Sequence, residues 1–148
     1  MTEGDKAPRG HFRTTPAVRA LIERLPAIIY LDALGGVADT LFISPQIETV
    51  LGFTVEEWIA DRDIWEKQLH PDDRERLVAL SNDTDRTGEP FRAEYRIFAK
   101  EGRLVWIHEE CVRIHDDQGA PLYWQGIMVD ITERKQAEAE LKDTKDQF

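Results

Sequence analysis

Cysteine is nearly missing from this chain of 148 residues, with Cys111 the only one. A disulfide framework, a CxxC redox pair and a cysteine-rich metal site are therefore excluded within it. Long apolar runs are missing as well, since no stretch approaches the roughly 18 apolar residues of a membrane span. The opening "MTEGDKAPRGHFRTTP" has no apolar core of the signal-peptide kind, so a cytoplasmic protein is expected. Basic residues are outnumbered, 19 Lys and Arg against 29 Asp and Glu, for a net charge of −10. That balance argues against a nucleic-acid backbone or an anionic membrane as partner. There is no Walker loop, no G-x-S-x-G elbow and no helix carrying a phosphorylatable histidine, and scattered Asp/Glu pairs carry no catalytic weight in so acidic a chain.

What is present suffices for one domain with tails, whose core can form without covalent staples. Residues 1–13 mix Gly, Pro and charge without periodicity and read as a flexible tail. In "TTPAVRALIERL", Thr15 can cap, Pro16 suits the first helical turn, and Val18, Leu21, Ile22 and Leu25 share a face. An amphipathic helix over 14–25, ended by Pro26, follows. "AIIYLD" and "TLFIS" are β-rich runs joined by the turn-rich "ALGGVAD", which predicts a hairpin. Three helical patterns come next. "SPQIETVLG" has Ser44 as cap, Pro45 in first position and Gly52 as stop; "TVEEWIADRDIWEKQL" opens on Thr54 and Glu57 in capping-box spacing. "HPDDRERLVALSNDT" starts with Pro71, Asp72 and Asp73 and is closed by Gly88. The strand patterns "EPFRAEYRIFAK", "RLVWIHEECVRIH" and "APLYWQGIMVDI" are separated by a tight turn at Glu101–Gly102 and by "DDQG". Hairpins on both sides of a helical block predict an α+β fold, not a doubly wound sheet.

"DITERKQAEAEL" ends a strand and launches a helix that is polar nearly all round. Thr132 can cap it through its hydroxyl, and Asp130 places negative charge near its positive end. Ala137, Leu141, Thr144 and Phe148 form a thin seam of coiled-coil type, with Glu138 and Lys142 as an i,i+4 pair. Such a helix is marginal alone and is expected to connect to a second chain and a downstream domain.

Taken together, "FISPQIETVLGFTVEEW", "LHPDDRERL", "EYRIFAKEGRLVWI", "DDQGAPLYWQGIMVDIT" and "ERKQAEAEL" resemble the Per-Arnt-Sim (PAS) sensor family of bacterial signalling proteins, over roughly residues 20–141. The resemblance implies a five-stranded antiparallel sheet in the order 2-1-5-4-3, roofed on one face by short helices that enclose a small-molecule pocket. It implies a PAS domain over 26–131 and a signalling linker over 132–148, with Asp130, Ile131 and Thr132 as the relay. The expected role is regulatory, not catalytic: a sensory and dimerisation module of a larger protein of the histidine kinase or diguanylate cyclase type, with any catalytic output domain outside this chain. The alternative is a ligand-free protein–protein interaction module with a filled core.

Registered on the flavin-binding light-sensor branch of that family, strand alternation turns Tyr95, Ile97, Ile107 and Glu109 toward the helices, with Cys111, Trp124 and Met128. Ile29, Leu31, Leu41 and Ile43 are expected to join them as pocket lining, and a one-residue slip would exchange the faces. The positions that hold flavin by amide side chains in that branch carry Ile97, Ile107 and Met128 here, and the photoreactive cysteine position falls at Asp63, so flavin is not expected. Haem is not expected either, because "PDDRERLVALSNDT" offers no axial histidine, and His70 before it suits a helix-entry role. "HEECVRIH" misses HExxH at Val112, and alternation sends His108 and Glu110 to one face and Cys111 and His115 to the other, so no metal site is expected. Glu109 is a carboxylate among apolar neighbours; either the pocket binds a modest and largely apolar metabolite oriented by Glu109 or Tyr95, or Glu109 reaches water or an arginine, or the strand phase is the opposite one. On the outer face, Phe98, Trp106, Ile127 and Val129 are more apolar than a solvated sheet allows, which predicts a homodimer through this face and the N-terminal helix.

Overall fold

The computed structural model describes residues 15–17, 20, 24–35 and 39–146. Strands β1 (Ala27–Asp32) and β2 (Thr40–Ile43) are followed by helices α1 (Gln46–Leu51), α2 (Val55–Ala60), α3 (Ile64–Gln68) and α4 (Pro71–Thr87). Strands β3 (Phe91–Phe98), β4 (Leu104–His115) and β5 (Pro121–Asp130) come next, and helix α5 (Thr132–Asp146) leaves the domain. The strands form one antiparallel sheet in the order β2-β1-β5-β4-β3, and the fold is α+β as expected. Of the N-terminal helix, Pro16, Ala17, Ala20 and Arg24 are helical; Val18, Leu21 and Ile22 lie outside the described residues. No helix among the described residues is long and apolar enough to cross a membrane.

Local chemistry sets most element ends. The Thr54 hydroxyl accepts the Glu57 N–H, while the Glu57 carboxylate accepts the Thr54 N–H, completing the capping box. Gly52 and Gly88 stop α1 and α4 at φ of 80° and 78°, left-handed values that cost a Cβ-bearing residue free energy. At the start of α4 the His70 imidazole accepts the Asp72 N–H at 3.1 Å and Pro71 takes the first turn. Asp73, one residue on, is buried and ties α4 to β3: its carboxylate accepts the Arg96 backbone N–H at 2.9 Å and two guanidinium N–H groups at 3.1 and 2.8 Å. The first cause that holds the Asp73 carboxyl down at about 2 is that Arg96 side-chain bond.

Four expectations change at this level. The Ser44 hydroxyl does not cap α1; it accepts the Ile29 N–H at 2.9 Å and pins β2 to β1. The run "TVEEWIADRDIWEKQL" is two helices, broken where Asp61 leaves helical geometry at φ −113° and ψ 102°. The turn after β3 is a three-residue loop: Ala99 N–H bonds Arg103 O, Gly102 N–H bonds Ala99 O, and Gly102 sits at φ 93°. In β2, Leu31 pairs with Phe42 and Asp32 with Thr40, so Leu41 is an unpaired bulge residue, 55% exposed, instead of pocket lining.

The core lies between the sheet and the helical block. Ile47, Leu51 and Leu77 from the helices and Leu69 from the link between α3 and α4 meet Ile28, Tyr95, Ile97 and Ile107 of the sheet, all fully buried. Burial of such side chains contributes roughly 1.5–3 kcal/mol each before entropy is counted.

Candidate functional site

The three long strands present the inward set in the expected phase. Tyr95, Ile97, Ile107, Cys111, Trp124 and Met128 belong to the buried cluster under the helices, and Glu109 is buried beside them. β1 is out of phase with expectation by one residue: Ile28, paired with Met128, and Tyr30, paired with Gly126, point inward. Ile29 instead lines a groove on the outer face with Val112 and Ile127. Leu31 shares the parity of Ile29 and is buried, but it is not a member of the core cluster. The reason is that Ala27, Ile28, Tyr30 and Leu31 are all buried, so alternation carries no contrast there.

Between the sheet and α2, α3 and α4 lies a cavity of about 520 Å³. Tyr30, Trp58, Trp65, Phe91 and Trp124 supply its aromatic walls, and Ile43, Cys111 and Met128 add apolar floor. Its polar groups are six acids, Asp32, Asp85 and Glu109 within and Asp61, Asp63 and Glu66 toward the rim, together with Arg62 and the neutral Thr40, Ser81, Asn82 and Thr84. Asp63, the position aligned with the photoreactive cysteine, is exposed at that rim.

The first partners of Glu109 are two tyrosines, not an arginine. The Tyr30 hydroxyl donates to one of its oxygens and the Tyr95 hydroxyl to the other, the latter at 2.5 Å; the Trp65 indole N–H in turn donates to the Tyr95 hydroxyl at 2.9 Å. Burial raises the Glu109 carboxyl above its ordinary value, and the two phenol bonds offset only part of that rise. Both phenols are themselves pushed well above the usual tyrosine range by burial and by the neighbouring Glu109 charge. Gly126 makes the network possible, because a Cβ there would stand 2.2 Å from the Tyr30 ring. Cys111 lies against the same cavity, and burial pushes its thiol up to about 12, so it is no thiolate nucleophile at neutral pH.

Alternation along β1 did not single out Asp32, the last residue of the strand. It faces the cavity, and its Oδ1 is buried with no hydrogen-bond partner among the described residues. Burial first, then the charge of Glu109, lifts its carboxyl to about 7. The available signal was an acid two residues after Tyr30 on a buried strand, and it was hidden by the phase error in β1.

The opposite face of the sheet carries a second polar cluster. Glu94 accepts from Arg134 at 2.6 Å and from Lys135 at 3.1 Å, both on α5, and faces His108 Nδ1 at 3.1 Å; His108 Nε2 lies 2.8 Å from Glu110. Burial is the largest influence on Glu94 and opposes ionisation, but its three basic partners together hold the carboxyl at about 2. The Glu110 bond is the main cause that raises His108 above its ordinary value. Thr132 does not act as a helix cap. Its hydroxyl accepts the Trp106 N–H at 3.0 Å and donates to Asp130 at 2.6 Å, while Asp130 also accepts the Thr132 N–H at 2.9 Å. Ile131 N–H bonds Trp106 O at 2.9 Å, so the three expected relay residues fasten α5 to β4. Glu138 pairs back to Arg134 at 3.3 Å, not forward to Lys142. Of the expected dimer residues, Trp106 is covered by Lys135 at 4.8 Å and Arg96 at 5.5 Å, and Phe98 stacks on His70 at 5.6 Å. Ile127 and Val129 are half-buried, and Leu25 is 51% exposed.

The family model described as PAS fold (PAS_3) matches residues 40–128. The chain belongs to the PAS family. The PAS module is 35% identical over 98 residues to the methyl sulfide methyltransferase-associated sensor of Methanosarcina acetivorans, covering 66% of this chain and 10% of that protein. It is 26% identical over 147 residues to the two-component sensor PprA of Pseudomonas aeruginosa, covering 97% of this chain and 15% of that one. Among solved structures, the N-terminal domain of a diguanylate cyclase with PAS/PAC sensor from Marinobacter aquaeolei superposes with a TM-score of 0.66 at 29% identity, covering 74% of this chain and 98% of that one. The chain thus spans a small part of these curated relatives, both of which are sensors by name.

Proposed function

We propose that this PAS module is the sensory and dimerisation part of a larger cytoplasmic signalling protein, of the histidine kinase or diguanylate cyclase type. The domain over 26–131 takes a small molecule into its cavity and the linker from 132 onward passes the result to an output domain. One observation carries this reading: the cavity network and the α5 network stand back to back on adjacent residues of β3 and β4. Tyr95 and Glu109 face inward, and their chain neighbours Glu94 and His108, paired across the strands, face outward toward Arg134 and Lys135. A ligand that favours one arrangement of Glu109 and its phenols biases the strand positions to which α5 is fastened, and the population of docked helix shifts by as much as the ligand's differential affinity. The outer groove of Ile29, Val112 and Ile127 is the proposed seat of the dimer contact. The other reading, a ligand-free interaction module with a filled interior, is less favoured by a cavity of about 520 Å³.

Hydrogen exchange of the α5 first turn tests the coupling. Glu109→Gln alters the inner network alone, and it is expected to speed exchange at 132–136 by several-fold while leaving α1 and α2 protected. Unchanged exchange in that turn, in a variant that still folds, would remove the proposed path.

A further inference from the structure

We propose that the cavity is a binding site for a small organic cation, an amine carried on an apolar or aromatic body, with the Asp32 carboxylate as its counter-ion. The inference rests on the sensory reading above and names its ligand class. Asp32 Oδ1 is buried without a hydrogen-bond partner among the described residues, while the carboxyl has one side-chain hydrogen bond, to Thr40. A wholly apolar ligand leaves that oxygen desolvated and unbonded, and an anion adds repulsion. An ammonium group supplies both the donor and the opposite charge.

The surroundings agree with this on two independent grounds. Glu109 on β4 and Asp85 on α4 face the same space, and Asp39 adds negative potential at Asp32. Among the described residues Arg62 is the cation on the cavity lining, and its guanidinium is held by Asp39 at 2.8 Å; Lys67, near the rim, is held by Asp61 at 2.6 Å. The second ground is aromatic: Trp124 pairs in register with Asp32 and already carries the Arg113 guanidinium 5.8 Å from its ring centroid, and Trp58, Trp65 and Phe91 complete an aromatic lining of the kind that attracts a desolvated cation. Glu109, with both oxygens already bonded to phenols, is less available than Asp32 and contributes field more than contact.

The ionised form of Asp32 binds the cation. Because burial lifts its carboxyl to about 7, affinity is expected to rise with pH through neutrality. Calorimetric titration of the chain with phenethylamine, 2-phenylethanol and 3-phenylpropanoate, which share one ring and differ in charge, reads this directly. The amine is expected to bind about tenfold tighter than the alcohol near pH 8, an advantage that shrinks by about tenfold near pH 6 as Asp32 takes up its proton. The acid is expected not to bind. Asp32→Asn, which replaces an acid with a near-isosteric neutral amide, should keep the alcohol's affinity and erase both the amine's advantage and its pH dependence. Equal affinity for amine and alcohol, or an amine advantage that survives Asp32→Asn, overturns the cation site and leaves the sensory cavity standing. Absence of binding by all three, with no shift of the Trp124 or Trp65 indole resonance, overturns both.

Discussion

Gly126 and Tyr30 show how one missing methyl decides the character of the cavity. Tyr30 must lie across β5 to bring its hydroxyl to Glu109, and only a strand position without Cβ leaves room. Gly126→Ala would place a carbon 2.2 Å from the Tyr30 ring, so the ring must move and the buried carboxylate loses a donor. The expected loss of stability is about 3 kcal/mol, from overpacking together with a broken charge-assisted bond. Urea unfolding of Gly126→Ala against Tyr30→Phe separates the two parts, since Tyr30→Phe keeps the ring and loses the hydroxyl. If Gly126→Ala is no less stable than Tyr30→Phe, the steric role assigned to the glycine is wrong.

Helix α5 is fastened at its first turn and projects otherwise: beyond Lys135 every described side chain as far as Lys145 is exposed. Its attachment is therefore governed by few groups, and their ionisation gives it a pH window. His108 has gained carboxylate partners, so its pKa is raised; its contribution is complete below the ordinary value of 6.5 and is lost as pH rises through the raised one. Glu94 is held at about 2, so its contribution is complete above the ordinary 4.5 and is lost as pH falls toward 2. Docking of α5 is expected to be tightest between those two limits. Fluorescence of Trp106, which Lys135 covers, followed against pH checks it, with Glu94→Gln expected to abolish the acid limb and His108→Gln the alkaline limb. A profile that is flat in the wild type would show that the latch does not depend on these charges.

At the scale of the whole molecule, the sheet has one face committed to the helical block and cavity, and the other shared between the α5 latch and an apolar groove. Trp106 and Phe98 are already covered within the chain, by Lys135 and Arg96 and by His70, so they are poor candidates for a contact between copies. Val112 is 41% exposed beside Ile29 and Ile127, and the proposed dimer contact belongs there. Val112→Glu is expected to raise the dimer dissociation constant by at least about tenfold in equilibrium sedimentation, because it buries a charge at an apolar contact. Its thermal unfolding should change little, since the residue is exposed in the single chain. Sedimentation as a monomer in the wild type, or an unaltered dimer in Val112→Glu, counts against that surface.

The sequence by itself determined what neighbours in the chain can encode. The capping box of Thr54 and Glu57, the entry of α4 at His70 and Pro71, the glycine stops and the phase of β3 to β5 all depend on contacts within a few residues or on long alternation, and all were legible. So was the burial of Glu109, because β4 alternates cleanly from Leu104 to Val112. Only the tertiary structure decided who answers that carboxylate, since Tyr30 lies 79 residues away along the chain. It also decided the phase of β1, where burial on both faces erases the alternating signal, and hence the placement of Asp32. Thr132 looked like a helix cap from its neighbours alone; its hydroxyl went instead to the Trp106 N–H, 26 residues distant, because the strand beside it offered an unpaired donor. Local backbone preferences are written in short stretches, whereas buried polar groups find partners across the fold, and in this protein the candidate site is built mainly of the second kind.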